Sequence, residues 1–158
     1  MCGRYTLTRE DKIAEDFGAA LGDAPRSEWW KPRFNVAPTQ PAPVIVASEA
    51  ARDGARAPAR KIEMMRWGLV PHWSGPGGQR APLMINARVE TLEAKAMFRD
   101  ALRRRRCLVP ADGFYEWRTV NKKKLPVWFH LKGNAPFAFA GIWTCGRARG
   151  ARSSRWPS

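Results

Sequence analysis

The chain has 158 residues, enough for one domain with a substantial core, and 44% of them are hydrophobic. It contains no apolar run near the ~20 residues of a membrane span, and its charged first residues lead us to expect no secretory signal. Three cysteines without C-x-x-C spacing and two distant histidines argue against a disulfide framework and a zinc site. The cysteine usage indicates a reducing cytoplasm. We further expect a monomer, nucleoid-associated in a bacterium, that uses no metal and no cofactor.

The charge balance is the strongest compositional signal. The net charge is +14, and the residues after Glu116 include nine basic side chains and no acidic one. A field of this sign attracts polyanions, with nucleic acid the first candidate and a membrane surface a weaker one. Eight Trp and seven Phe side chains offer stacking partners for unpaired bases, which favours single-stranded nucleic acid. A basic surface that serves only solubility is the alternative.

The first candidate site is the N-terminal sequence Met1-Cys2-Gly3-Arg4. Removal of Met1 would leave Cys2 with a free α-amine and a thiol on adjacent carbons. The amine can condense with an aldehyde to an imine, and the sulfur can then close a five-membered thiazolidine ring. Such groups titrate near ~8 and ~8.5, so a minority of each is nucleophilic at neutral pH. The alternative is that Cys2 is simply a small residue behind the start codon.

Apolar patterning predicts three strands and one helix in the first half of the chain. Thr8 with Asp11 three residues later resembles a capping box, and Gly22 is a typical helix stop. An Ala- and Arg-rich segment around Asp53-Gly54 is interpreted as an exposed hairpin loop. The predicted elements are a strand at 5–7, a helix over 8–22, a rigid turn at 34–40, strands at 43–46 and 61–67, and the loop at 48–60.

The second half predicts one helix and a series of strands. Residues 92–105 fit a helix with an apolar stripe, and the basic run 103–106 stands at its C-terminal end. That run either complements the helix dipole or contacts nucleic acid, and both readings stay open. Strands are predicted at 107–110, 125–131 and 136–143, with a hairpin turn at 121–124 and a disordered basic tail at 146–158. The pattern is β-rich with two main helices.

Two further segments carry candidate site residues. Asn86 and Arg88 are two positions apart, so an amide and a guanidinium would share one face of an extended chain. The pair suits a sugar or phosphate oxygen, or else it is an Asn-capped turn beside a surface Arg. Glu116 lies between two aromatic residues, where a carboxyl group is suited to proton transfer. Its alternative is a strand residue that faces solvent and pairs with a nearby Arg.

Five short segments are more specific together than any of them alone. They are Met1-Cys2-Gly3-Arg4-Tyr5, Phe34-Asn35-Val36-Ala37-Pro38, Trp67-Gly68-Leu69-Val70-Pro71-His72-Trp73, Ile85-Asn86-Ala87-Arg88-Val89-Glu90-Thr91 and Ala111-Asp112-Gly113-Phe114-Tyr115-Glu116-Trp117. In this order they resemble the SOS response-associated peptidase (SRAP) family, the abasic-site-processing proteins, over residues 1–143. The resemblance implies a β-rich, barrel-like α+β fold, with an SRAP domain at 1–145 before the tail at 146–158.

The resemblance also implies a function and roles for single residues. It implies binding of abasic sites in single-stranded DNA and a thiazolidine cross-link between Cys2 and the ring-opened sugar aldehyde. Asn86 would hold the sugar or its phosphate, and Glu116 would be the acid/base group near the α-amine. The implied DNA contacts are Arg4, Asn35, Trp73 and Arg88, with Trp73 as a base-stacking wedge. Such a cross-linking enzyme, lyase- or peptidase-like, would shield the lesion in the DNA damage (SOS) response.

The chain departs from the family pattern at one place. Family members continue into a strand that ends in a His-Asp-Arg-Met-Pro-like motif, whose histidine assists at the abasic sugar, and no such motif occurs in this sequence. We therefore expect a truncated member without the C-terminal strands and with an exposed sheet edge. Two other functions stay open: a basic single-stranded DNA-binding remnant without chemistry, and a cysteine-dependent (auto)peptidase.

Overall fold

The computed structural model describes residues 2–9, 12–22, 31–48, 59–69 and 83–144. This part of the chain is mostly β-strand, with two α-helices and two short 3₁₀ turns. The strands are β1 (Tyr5–Leu7), β2 (Ala20–Leu21), β3 (Arg33–Val36), β4 (Pro41–Ala47), β5 (Arg60–Arg66), β6 (Arg106–Ala111), β7 (Gly113–Val120), β8 (Lys123–Phe129) and β9 (Phe137–Ile142). The helices are α1 (Ile13–Asp16) and α2 (Ala96–Arg104), and the 3₁₀ turns are Val89–Thr91 and Lys132–Asn134.

The described strands build two sheets. One sheet has the strand order β3-β1-β7-β8, and the other has the order β2-β5-β4-β6-β9. Among the described strands only β2 and β5 pair in parallel. The predicted β-rich α+β class is confirmed, and the two sheets are not closed into a barrel.

The main hydrophobic core contains residues of both sheets. Tyr5 and Val36 of the first sheet join Ile45 and Ile62 of the second in one buried cluster. The five central residues of β4, 42–46, are all buried, as a continuous apolar run predicts for a strand covered on both faces. Burial of each large aliphatic side chain contributes about 1.5–3 kcal/mol to stability. This core holds β1 in place, and β1 follows directly on the candidate N-terminal site.

The predicted helix over 8–22 is wrong in its extent. α1 covers only Ile13–Asp16, and two residues later Gly18 adopts the left-handed conformation, with φ of +56°, that commonly ends a helix. Leu21, which the predicted helix over 8–22 includes, lies instead in β2 and is 45% exposed. Because β2 pairs with β5, sheet pairing takes over a segment that local patterning assigned to a helix.

The segment predicted as a rigid turn at 34–40 begins as a strand. β3 pairs with β1, and the turn itself is confined to residues 37–40. The Gln40 side-chain oxygen accepts the Ala37 N–H at 3.1 Å, and the Gln40 N–H donates to the Ala37 carbonyl at 3.2 Å. The turn thus connects β3, beside the N-terminal strand, to β4 in the other sheet.

Both predicted hairpins are confirmed. β4 pairs with β5, and β7 pairs with β8, in antiparallel registers of seven residue pairs each. Asn121 and Lys122, between β7 and β8, have φ of +48° and +63°, as a two-residue type I′ turn requires. The tip of the first hairpin, residues 49–58, lies outside the described residues.

The predicted helix over 92–105 is confirmed in a shorter form. Its regular part is α2, which buries Phe98 and Ala101. The predicted tail at 146–158 lies outside the described residues, so the division into 1–145 and 146–158 stays a prediction. No helix in the described part of the chain is long and apolar enough to cross a membrane.

Gly113, the first residue of β7, occupies a position with no room for a side chain. A Cβ atom there would lie 2.1 Å from Trp128 Nε1 and 2.9 Å from Thr6 Oγ1. These two groups are bonded to each other, since the Trp128 indole N–H donates to the Thr6 hydroxyl at 3.3 Å. Glycine therefore allows a contact between β1 and β8 across the start of β7.

Gly113→Ala is expected to lower the free energy of unfolding by about 2 kcal/mol, because the methyl group displaces the Trp128 indole and breaks its bond to Thr6. The melting temperature should fall by several degrees in a thermal unfolding experiment. Gly3→Ala is the control, since a Cβ at Gly3 meets no atom of the described chain within 4 Å. Equal melting temperatures for the two variants would contradict the packing argument.

Candidate functional site

Cys2 lies on the wall of a cavity of about 560 Å³ that is lined by residues of both sheets. Its side chain is half-buried, and its thiol donates to the Arg4 carbonyl at 3.2 Å. The same carbonyl accepts the Tyr115 N–H at 2.9 Å, which continues the pairing of β1 with β7 toward the N-terminus. Sheet pairing thus positions the residue that would become the N-terminus after removal of Met1.

Asn86 contacts Cys2 directly. Its side-chain N–H donates to the Cys2 carbonyl at 2.8 Å. The segment that carries Asn86 is held in turn by Trp67, whose indole N–H donates to the Ile85 carbonyl at 2.8 Å. Leu69 and Met84 form an isolated antiparallel bridge just before it. The chain beyond β5 therefore places an amide against the N-terminal main chain.

Glu116, on β7, is close enough to Cys2 for its charge to affect the thiol. Burial is the main reason that the pKa of the Cys2 thiol is raised above its ordinary value. A hydrogen bond with the Arg4 backbone opposes that rise in the pKa, and the negative charge of Glu116 adds to it. The structure therefore places Cys2, Asn86 and Glu116 in one neighbourhood.

The four predicted DNA contacts have different positions. The Arg4 guanidinium donates to the Asn35 side-chain oxygen at 3.0 Å, so these two residues form one polar pair beside Cys2. Arg88 is exposed, two residues beyond Asn86. Trp73 lies outside the described residues, so its predicted role as a wedge stays a prediction.

The four arginines of the basic run at the end of α2 differ in their contacts. Arg104 and Arg105 form ion pairs with Asp100, the former at 3.6 Å. Arg103 and Arg106 are exposed and flank this cluster. Two of the four arginines thus have an acidic partner in α2, and both interpretations of the run, complementing the helix dipole and contacting nucleic acid, stay open.

Asp112 is a supporting residue that sequence reasoning did not single out. Its carboxylate is 1% exposed and accepts the Thr6 hydroxyl at 2.5 Å, the Thr8 hydroxyl at 2.6 Å and the Thr8 N–H at 2.5 Å. Its own N–H donates to the Thr6 carbonyl at 3.0 Å. Thr6 and Thr8 are two positions apart, which places their hydroxyl groups on one face of an extended strand. Nothing in the local sequence links them to a carboxylate more than 100 residues away.

Metal chemistry and a Cys–His pair gain no support from the described residues. Among them, no group of three or more His, Cys, Asp or Glu side chains is placed to hold a metal ion. His130 stacks on Trp128, with ring centroids 4.2 Å apart, and its Nδ1 lies 2.9 Å from the Leu131 carbonyl oxygen. His72 lies outside the described residues.

A family model described as SOS response associated peptidase (SRAP) matches residues 1–156. The chain belongs to this family. One SRAP relative, YoqW of Bacillus subtilis, is named an abasic site processing protein and is 41% identical over 145 residues, 90% of this chain and 60% of that protein. YedK of Escherichia coli and HMCES of Xenopus tropicalis carry the same description. They are 32% and 33% identical and cover 90% and 66% of this chain.

This SRAP chain spans about 60% of the length of YoqW and 32% of HMCES. Two crystal structures have similar folds. A Bacteroides thetaiotaomicron protein has a TM-score of 0.77 at 23% identity, covering 94% of this chain and 62% of that one. A phage-related protein of Bordetella bronchiseptica has a TM-score of 0.63 at 30% identity, covering 98% and 65%. These likenesses support the α+β fold described above.

Proposed function

We propose that this chain binds abasic sites in single-stranded DNA and captures them covalently through Cys2 after removal of Met1. The observation that carries the proposal is the contact between Asn86 and the Cys2 carbonyl at 2.8 Å, which holds Cys2 on a cavity wall close to Glu116. The substrate class comes from the relatives, which are named abasic site processing proteins. The cross-link would shield the lesion during the DNA damage (SOS) response.

The chemistry needs only groups of Cys2 and the sugar. The ring-opened abasic sugar carries an aldehyde, and the α-amine of Cys2 adds to its carbon. Loss of one water gives an imine. The sulfur then adds to the imine carbon while the thiol proton passes to nitrogen, and the thiazolidine ring is complete. The net change is the loss of one water molecule, and no oxidant or reductant is consumed.

Asn86 and Glu116 have separate roles in this proposal. Glu116 accepts and returns protons at the α-amine and the thiol, since a positioned carboxylate suits such transfers. Asn86 holds the Cys2 main chain, and its amide can form further hydrogen bonds with the sugar or its phosphate. Arg4, Asn35, Arg88 and Trp73 are proposed as DNA contacts, and the net charge of +14 supports a polyanionic ligand.

The test is a denaturing gel with single-stranded DNA that carries one abasic site. The assay uses folded protein, and a measurement of its intact mass verifies that Met1 has been removed. We expect a slow band that survives heat and detergent, with the mass of protein plus DNA less one water. The matched DNA carries a tetrahydrofuran abasic analogue, which offers the same phosphates but no aldehyde, and should give no slow band.

The same experiment separates the alternatives. Salt-sensitive binding of both DNAs without a slow band would overturn covalent capture and leave a non-catalytic single-stranded DNA-binding protein. Cys2-dependent cleavage of an unrelated peptide, again without a slow band, would favour a cysteine-dependent peptidase.

Glu116→Gln is expected to change two reactions of Cys2 in opposite directions. The charge of Glu116 raises the pKa of the thiol, so the variant should have a lower thiol pKa and more thiolate at neutral pH. Alkylation of Cys2 by iodoacetamide should therefore become faster, with its pH midpoint moved to lower pH. Cross-linking to abasic DNA should become about 100-fold slower, because the group that transfers protons is lost.

Both rates are followed by mass spectrometry of the N-terminal peptide. The peptide that contains Cys107 is the internal reference for alkylation. Burial raises the pKa of the Cys107 thiol to about 11, so this thiol stays protonated at neutral pH and should react slowly in every variant. Glu90→Gln, at an exposed carboxylate, is the control and should leave both rates unchanged. If Glu116→Gln accelerates both reactions, or leaves cross-linking unchanged, the acid/base role is wrong.

A further inference from the structure

The cavity beside Cys2 has mostly apolar walls. Its volume of about 560 Å³ lies within the range of small-molecule sites. Six of the side chains that contribute to the wall are Val44, Met65, Trp67, Leu92, Phe139 and Trp143. A sugar phosphate gains little from such walls, whereas an alkyl chain gains from leaving water. The cavity therefore fits a second kind of ligand.

A buried tyrosine on this wall has a hydroxyl group without a hydrogen-bond partner among the described residues. Tyr5 is 2% exposed and lines the cavity, and within the described part of the chain its hydroxyl has no partner. Its ring packs against Trp67 and Phe139, with centroids 5.4 Å and 6.1 Å away. Burial raises the pKa of this hydroxyl above its ordinary value, so it stays a neutral donor at physiological pH. Buried donors normally have an acceptor, and a bound carbonyl oxygen would supply one.

We propose that the cavity takes a free straight-chain aliphatic aldehyde, whose alkyl chain fills the apolar interior and whose carbonyl carbon reacts with Cys2. The Tyr5 hydroxyl donates to the aldehyde oxygen while the α-amine attacks. The inference rests on the proposed function in requiring the free α-amine of Cys2, and it adds a substrate class that needs no DNA.

The reaction balances without any other reactant. The nitrogen–carbon bond forms first, and the aldehyde oxygen leaves as water with the two hydrogens that the amine gives up. The sulfur–carbon bond then forms, and the thiol proton moves to nitrogen. The protein gains the mass of the aldehyde less one water.

The test compares propanal, hexanal and nonanal with the polar glycolaldehyde on the unaltered chain after Met1 removal. The readout is the adduct on the N-terminal peptide at increasing aldehyde concentration. The synthetic tetrapeptide Cys-Gly-Arg-Tyr has the same reactive groups without the cavity. We expect the apparent affinity of the protein to rise by up to about fourfold per methylene until the cavity is full, while that of the tetrapeptide stays flat.

Three variants locate the effect. Cys2→Ala should lose every N-terminal thiazolidine. Tyr5→Phe should slow capture of hexanal by about tenfold, since one hydrogen bond to the reacting oxygen is lost, but leave alkylation by iodoacetamide unchanged. Ala140→Trp, at the exposed position of β9 on the cavity wall, narrows the cavity and should weaken capture of nonanal more than that of propanal.

Each outcome decides between the two proposals. In one outcome the protein cross-links abasic DNA, while its apparent affinity for aldehydes is as independent of chain length as that of the tetrapeptide. This result overturns the aldehyde site and leaves the proposed function standing. A protein that reacts with neither abasic DNA nor any aldehyde overturns both. The assignment of this cavity would also be contradicted by either of two results with the variants. One is an unchanged dependence on aldehyde length in Ala140→Trp, and the other is an unchanged rate of hexanal capture in Tyr5→Phe.

Discussion

Cys2→Ala is expected to abolish the covalent adduct with abasic DNA, with a loss of about 100-fold or more in yield. The thiazolidine ring needs a sulfur on the β-carbon, and alanine has none. The α-amine of the variant can still form an imine, but that imine hydrolyses when the sample is denatured. Reversible binding should change by less than about threefold, because the phosphate-binding charge is untouched.

Two measurements on each protein check this prediction. A denaturing gel reports the adduct, and fluorescence anisotropy at two salt concentrations reports reversible binding. Cys107→Ala is the matched control, since it removes another half-buried cysteine from the wall of the same cavity and should keep the adduct. A heat-stable band of undiminished yield from Cys2→Ala would show that a different nucleophile forms the cross-link.

Asp112→Ala should lower the free energy of unfolding by about 3 kcal/mol or more. The substitution removes a carboxylate that is 1% exposed, and the donors of buried Thr6 and half-buried Thr8 lose their acceptor. These hydrogen bonds hold β1 against the start of β7. We therefore also expect slower cross-linking by the folded variant, because Cys2 is positioned through β1.

Urea denaturation measures the loss, with Asp112→Asn as the isosteric companion. The amide keeps one acceptor oxygen, but its NH₂ group meets at least one donor with which it cannot form a hydrogen bond. The free energy of unfolding should therefore fall by a smaller amount, about 1–2 kcal/mol. Asp100→Ala is the control, since that carboxylate is 60% exposed and its ion pairs should contribute less than about 1 kcal/mol. If Asp112→Ala proves no less stable than Asp100→Ala, Asp112 does not hold β1.

The sequence by itself determined the features that depend on neighbours along the chain. The hairpin of β7 and β8 follows from alternating apolar residues on either side of a two-residue turn, all within one short segment. The chemistry available at Cys2 is likewise intrinsic, since an amine and a thiol on adjacent carbons need no fold to react. Ordered motifs then pointed to Asn86 and Glu116, which the structure places near Cys2.

Only the tertiary structure decided which distant groups meet. The segment over 8–22 has a helical pattern, yet it ends in β2 because pairing with β5 outweighs weak local propensity. The bond from Thr8 to Asp112 joins positions 104 residues apart, and no local pattern encodes such a contact. Tyr5 lines the cavity, and its hydroxyl has no hydrogen-bond partner in the described part of the chain because the side chain is buried between two sheets. Side-chain pairing of this kind depends on packing, which one sequence does not reveal.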